Sequence, residues 1–198
     1  GPIERSYRLL PQLKKMTIGK MDSFPEAWSL ILIGFFKKVV IADRLALLVD
    51  SVFMGDMNNG FGNFVAIIFF SAQIYFDFSG YSNIARGLAK LFGINLMMNF
   101  KNPYLGVTLT DFWSRWHLSL SGWFKDYVYI PLGGSRGGAL KRTIRNILIV
   151  FLLSGLWHGA NWTFVAWGTI HGVGLSLEKI FMIKHHNLIG FKKAISRI

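Results

Sequence analysis

The 198-residue chain is 52% hydrophobic and only 16% charged, with a mean hydropathy of +0.39. Soluble domains carry about a quarter charged residues, so the composition excludes an ordinary soluble domain and points to a polytopic transmembrane helical protein. The absence of cysteine excludes disulfides, thiolate metal sites and a cysteine nucleophile, and the net charge of +12 invites a search for an anionic partner.

The basic residues sit beside apolar runs, at Lys14–Lys20, Lys37-Lys38, Arg136–Arg145 and Lys184–Arg197. That is the placement of juxtamembrane segments facing anionic lipid, so a lipid bilayer is the expected partner. No nucleic-acid motif is present, and no nucleic acid is expected. The chain opens without methionine, at Gly1-Pro2-Ile3, and stops in a basic amphipathic stretch. An internal piece of a longer protein is expected, with residues 1–198 forming one partial transmembrane domain.

Gly1–Asp22 reads as a loop plus a short interfacial helix. Ser23-Phe24-Pro25-Glu26 is a helix start, with serine as cap, proline in the first turn and an early glutamate. The helix runs on through Lys37-Lys38, which predicts a tilt with both lysines snorkelling. Met54–Gly62 is a turn region. Phe61–Phe76 is uncharged and nearly long enough to span a bilayer, with Asp77 at its end. Ser79-Gly80 predicts a bend, and Gly93 a C-terminal cap. Asn95–Leu109 reads as a loop.

Thr110-Asp111 is then expected to cap one continuous helix. In it Trp113, His117, Leu120 and Phe124 share a face, with Arg115 and Ser119 on another. Pro131 and Gly133-Gly134 end it, and Ser135–Arg145 reads as a basic loop. From Asn146 to Leu177 there is no Asp, Glu, Lys or Arg. Two apolar helices occupy this run, broken at Gly159–Asn161, and flanking basic stretches predict a hairpin. The first has roughly 15 residues before the break, about 22 Å of helix, short of a ~30 Å hydrocarbon core. Gly155 and Gly159 lie one turn apart, so a neighbouring backbone can approach closely there. Met182–Ile198 reads as an interfacial basic segment.

His158 stands in the middle of the uncharged run, in SGLWHGANW. Ionisable groups at membrane depth are costly and mark functional sites by default; the rival reading is a helix-end cap or a snorkelling side chain. His117 is either functional or a hydrogen-bonded core histidine. His171, in WGTIHG, is read as packing or an interhelical hydrogen bond. A metal site is disfavoured, because the histidine spacing is wrong and no HExxH or carboxylate cluster is present. Acid–base work fits better: a neutral imidazole can take a proton from a hydroxyl, and a thioester acyl donor then needs no nucleophilic side chain. Asp77 is either a paired carboxylate or an interfacial helix end.

The stretches FDFSGYSNIARGLAKLFGI, RWHLSLSGW and LSGLWHGANW, with GPIERSYRLLPQL before them, resemble the membrane-bound O-acyltransferases. The likeness is to the bacterial branch that contains alginate O-acetyltransferase and the D-alanyl transferase of teichoic acids. It implies a multi-pass helical fold more than twice this long, in the bacterial inner membrane. It implies His158 as the catalytic histidine and His117 as the second functional one. Asp77, Trp113, Arg115 and Asn161 are the supporting candidates. It also implies transfer of an acyl group, acetyl first and D-alanyl as the alternative, to a cell-envelope polysaccharide such as alginate. No cofactor is expected to be tightly bound. An acyl thioester, acetyl-CoA or a carrier protein, would serve as co-substrate, and a periplasmic or extracellular acyltransferase partner would complete delivery. Ser114 and Asn83 depart from the arginine and aspartate common in the family. The rival function is a non-enzymatic component of polysaccharide export.

Overall fold

The computed structural model describes residues 2–16, 23–55, 59–135 and 139–195, with side chains to residue 182. All regular elements among the described residues are helical. The chain forms two compact units, residues 1–100 and 101–198.

In the first unit α1 (Ser6–Lys14) is followed by α2 (Phe24–Phe35), a π-helical segment (Phe36–Ala42), α3 (Asp43–Phe53) and α4 (Gly60–Leu91). Ser23 holds the cap position of α2, Pro25 follows in the first turn and Glu26 faces the helix dipole. Asn59 caps α4 by accepting from the Gly62 amide at 2.7 Å. At the other end Gly93 turns left-handed at φ 72°, and the Gly93 and Ile94 amides donate to Lys90 and Ala89. Among the described residues α4 is the one helix long and apolar enough to cross a membrane. At 1.5 Å per residue its 32 residues reach about 48 Å.

Two expectations are corrected here. Ser79-Gly80 does not bend α4, which is continuous. Gly80 instead lets α2 approach: a Cβ there would lie 2.7 Å from the Gly34 carbonyl oxygen, and one on Gly34 2.7 Å from that of Gly80. Nor do the lysines simply snorkel. Lys37 donates to Ser79 Oγ at 2.9 Å, and Lys38 pairs with Asp43 at 2.7 Å and Asp77 at 2.5 Å. The π-helical segment carrying them widens the helix at this point, and tertiary partners satisfy the charges.

The second unit contains a 3₁₀ turn (Pro103–Leu105), α5 (Leu109–Trp113), α6 (Leu118–Phe124), a π-helical turn (Lys125–Tyr129), α7 (Leu140–His158) and α8 (Trp162–Ile195). Thr108, not Thr110, caps α5, accepting from the Asp111 amide at 3.0 Å. The Thr110 amide donates to Glu178 Oε2 of α8 at 3.1 Å, which ties the start of α5 to that helix. The helix expected to run on from Thr110 stops at Trp113 and restarts at Leu118, and between them His117 is left-handed, with φ 44° and ψ 54°. A second correction concerns 140–145: these residues open α7 instead of extending the basic loop. Asn146, fully buried, locks this region by donating to the Leu132 and Gly134 carbonyls at 3.1 and 3.0 Å. The basic tail expected from Met182 continues α8 to Ile195.

The α7–α8 hairpin closes over the expected break at residues 159–161. Asn161 Oδ1 caps α8, accepting from the Thr163 amide at 3.1 Å. Gly155 and Gly168 face each other across the hairpin: a Cβ on either would lie 3.5 Å from the Cα of the other and would overlap the opposing helix's carbonyl oxygen, Phe164 or Phe151. The helices therefore meet backbone to backbone, and any side chain at these positions would force them apart.

Candidate active site

A cavity of about 180 Å³ opens within the second unit, walled by α5, α6, α7 and α8. Its polar lining comes from Thr110, His117, Ser121, Ser154 and His158; Trp113, Trp116 and Phe151 supply aromatic wall. His117 reaches it because the left-handed backbone turn separates α5 from α6 and presents the imidazole at the junction, 5% exposed. A non-glycine residue in that conformation is uncommon and marks a position the fold over-determines. His158 reaches the cavity as the last residue of α7, just before the break.

Aromatic rings hold both histidines. Trp157 lies edge-on to each, at centroid distances of 5.0 Å from His158 and 6.4 Å from His117. Across the hairpin Trp167 meets His158 edge-on at 5.2 Å and Phe164 stacks on it at 6.2 Å. Trp113 packs against Phe151, Trp167 and His171 at 5.0, 5.7 and 5.1 Å. His171 thus stands in an aromatic cluster, as its packing reading expects. Such T-shaped contacts fix ring orientation as well as burying area.

The two motif histidines and Trp113 therefore converge on one space although 40 residues and a helix break separate His117 from His158. The other supporting candidates lie elsewhere. Arg115 donates to Asp111 at 2.6 Å, and its carbonyl accepts from the Lys101 amide. The hydrogen bond from Arg115 holds the Asp111 carboxyl below the usual carboxylate range. Asn161 caps α8. Asp77 belongs to the first unit, where it pairs with Lys38. Ser154, Ser121 and Thr110 also line the cavity, and the sequence marks none of them as a site residue, Thr110 reading only as a helix cap. The legible signal for Ser154 was its place one helical turn before His158 in SGLWH.

Among the described residues no group of three histidine, aspartate or glutamate side chains is arranged to hold a metal ion.

The family model described as membrane-bound O-acyltransferase matches residues 1–196. The chain belongs to the membrane-bound O-acyltransferase family. It is 45% identical over 184 residues to a probable alginate O-acetylase of Azotobacter vinelandii, covering 92% of this chain and 36% of that protein. It is 42% identical over 186 residues to the peptidoglycan O-acetyltransferase of Helicobacter pylori, covering 91% and 35%. The teichoic acid D-alanyltransferase of Streptococcus thermophilus is 29% identical over 202 residues, with 93% and 48% covered. The chain spans about a third of the length of the acetylase relatives it matches. Membrane-bound O-acyltransferases are membrane proteins, as the apolar composition requires.

Proposed function

We propose that this chain carries the reaction centre of an O-acyltransferase that moves an acetyl group from a thioester donor to hydroxyls of a cell-envelope or extracellular polysaccharide such as alginate. The observation that carries the reading is the convergence of His117 and His158 on one aromatic-walled cavity. His158 is the general base. It accepts the proton of the acceptor hydroxyl while that oxygen attacks the thioester carbonyl, and it returns the proton to the departing thiolate. His117 orients the acceptor or polarises the acyl group. The aromatic walls keep water from the donor, so transfer outruns hydrolysis.

No tightly bound cofactor is required; acetyl-CoA or an acyl carrier protein is the co-substrate. The protein is placed in the bacterial inner membrane as a multi-pass chain, with a periplasmic or extracellular acyltransferase partner completing delivery to the polymer. The second reading, D-alanyl transfer to teichoic acid, is supported by the more distant D-alanyltransferase relatives; identities of 42–45% favour acetyl over 29%.

The test gives membranes bearing the full-length protein either a labelled acetyl or a labelled D-alanyl thioester, together with candidate polymers. Label in polymer from the acetyl donor alone is the expected result. Label from D-alanyl alone establishes the second reading. Polymer export without label from either would establish a non-enzymatic export component.

A further inference from the structure

We propose that Ser154 is a third catalytic residue of this cavity, donating a hydrogen bond to the acyl carbonyl oxygen as negative charge develops on it. The inference rests on the acyl-transfer reading above and names the group that stabilises its transition state.

Ser154 precedes His158 by one turn of α7, so both side chains leave the same helix face, about 6 Å apart along the axis. Both line the cavity, and Ser154 is only 7% exposed. A helical serine or threonine can donate to the carbonyl four residues back. Ser71 and Thr169, which are not buried, do so at 2.8 Å each, and buried Ser176 does so at 2.7 Å. Ser154 does not. Among the described residues its hydroxyl has no hydrogen-bond partner, and its oxygen is not one of the buried polar atoms sealed away from the surface. Ser121, the other serine on the cavity wall, already donates to the Trp116 carbonyl at 3.2 Å. An uncommitted donor thus stands beside the proposed base, in a wall otherwise built largely of aromatic and aliphatic groups. The hydroxyl keeps some accessible surface although the residue as a whole is buried, and the space beside it is the cavity that the acyl-transfer reading gives to the substrate.

The chemistry supplies the need. The acceptor hydroxyl must lie within reach of His158, and the acyl carbon it attacks carries an oxygen that becomes anionic. As the new oxygen–carbon bond forms, the hydroxyl proton passes to His158 and the carbonyl π pair moves onto the oxygen facing Ser154. When the carbonyl reforms, the carbon–sulfur bond breaks and the thiolate leaves with the proton held by His158. Ser154 keeps its own proton throughout. A fixed donor in a water-poor site costs little reorganisation at that moment, which is why such donors act mainly on kcat.

The experiment uses the full-length protein in membranes and compares Ser154→Ala, Ser154→Thr and Ser154→Cys with the parent. Expected is a fall in kcat of roughly 10²-fold for alanine, with KM for donor and acceptor changed by less than about threefold. Threonine should restore most of the rate, the shape of the pH profile should be unchanged, and cysteine, a similar shape with a weak donor, should resemble alanine. A Ser154→Ala enzyme of parental rate would overturn the proposal. So would a loss confined to KM, or a shifted pH profile, which would make Ser154 a positioning residue for His158. If alanine prevents folding, the cysteine and threonine variants decide: a fully active cysteine variant overturns it. His158→Ala run alongside separates the two ideas, because activity surviving there would sink the acyl-transfer reading itself.

Discussion

Replacing Gly155 with alanine tests whether the α7–α8 crossing holds the proposed reaction centre in register. A Cβ at this position would overlap the Phe164 carbonyl oxygen, a backbone atom that cannot swing aside, and would lie 3.5 Å from Gly168 Cα. Restoring ordinary contact requires the helices to part by on the order of 1 Å, and overpacking of this kind costs about 1–3 kcal/mol. His158 lies three residues further along the displaced helix, with Trp167 and Phe164 of the partner helix against its ring. A misplacement of about 1 Å at a reacting group lowers rates roughly 10²-fold. Gly155→Ala in the full-length protein should therefore lower the midpoint of thermal unfolding in detergent and cut kcat/KM by about that factor. Gly60→Ala is the control, since a Cβ at Gly60 meets nothing within 4 Å, and it should change neither quantity. A Gly155→Ala protein with parental stability and activity would show that the hairpin tolerates separation and that the close crossing does not position His158.

Asn146→Leu should destabilise the protein by about 2–4 kcal/mol, because it strips the Leu132 and Gly134 carbonyls of a buried donor; denaturant or thermal unfolding reads it directly. Lys38→Met and Asp77→Asn should each cost no more than about 1 kcal/mol, since both side chains are nearly half exposed, at 43% and 47%. The double substitution should cost less than the sum of the singles, because they share one ion pair; strict additivity of the unfolding free energies would mean that the pair contributes nothing.

Much of the hairpin was legible in the sequence. The uncharged run, the break after His158 and the small residues around it all follow from local composition, and helical spacing alone predicted a close backbone approach at Gly155. The α2 start and the Gly93 cap were legible for the same reason: capping chemistry is local. Sequence spacing predicts His117 within a continuous helix because nothing in RWHLSL marks a left-handed residue; tertiary context overrides propensity at the α5–α6 junction. The histidine still shares a cavity with Trp113, Leu120 and Phe124, the set that helical spacing had grouped. The partners of Lys37 and Lys38 on α4 are not legible, since Ser79 and Asp77 lie some 40 residues away and no periodicity links them; only Asp43, the other partner of Lys38, is near in sequence. The sequence does not mark Ser154 as an uncommitted donor, because a serine in an apolar helix can close on its own backbone. That its hydroxyl does not is visible only in three dimensions.

The most direct measurement follows labelled acetyl from thioester to polymer with the full-length protein and its His158→Ala and His117→Ala variants, each shown to be inserted in membranes at parental levels. If an imidazole at the end of α7 deprotonates the acceptor, His158→Ala abolishes transfer and His117→Ala severely reduces it. Parental transfer by the His158→Ala protein would contradict that assignment outright.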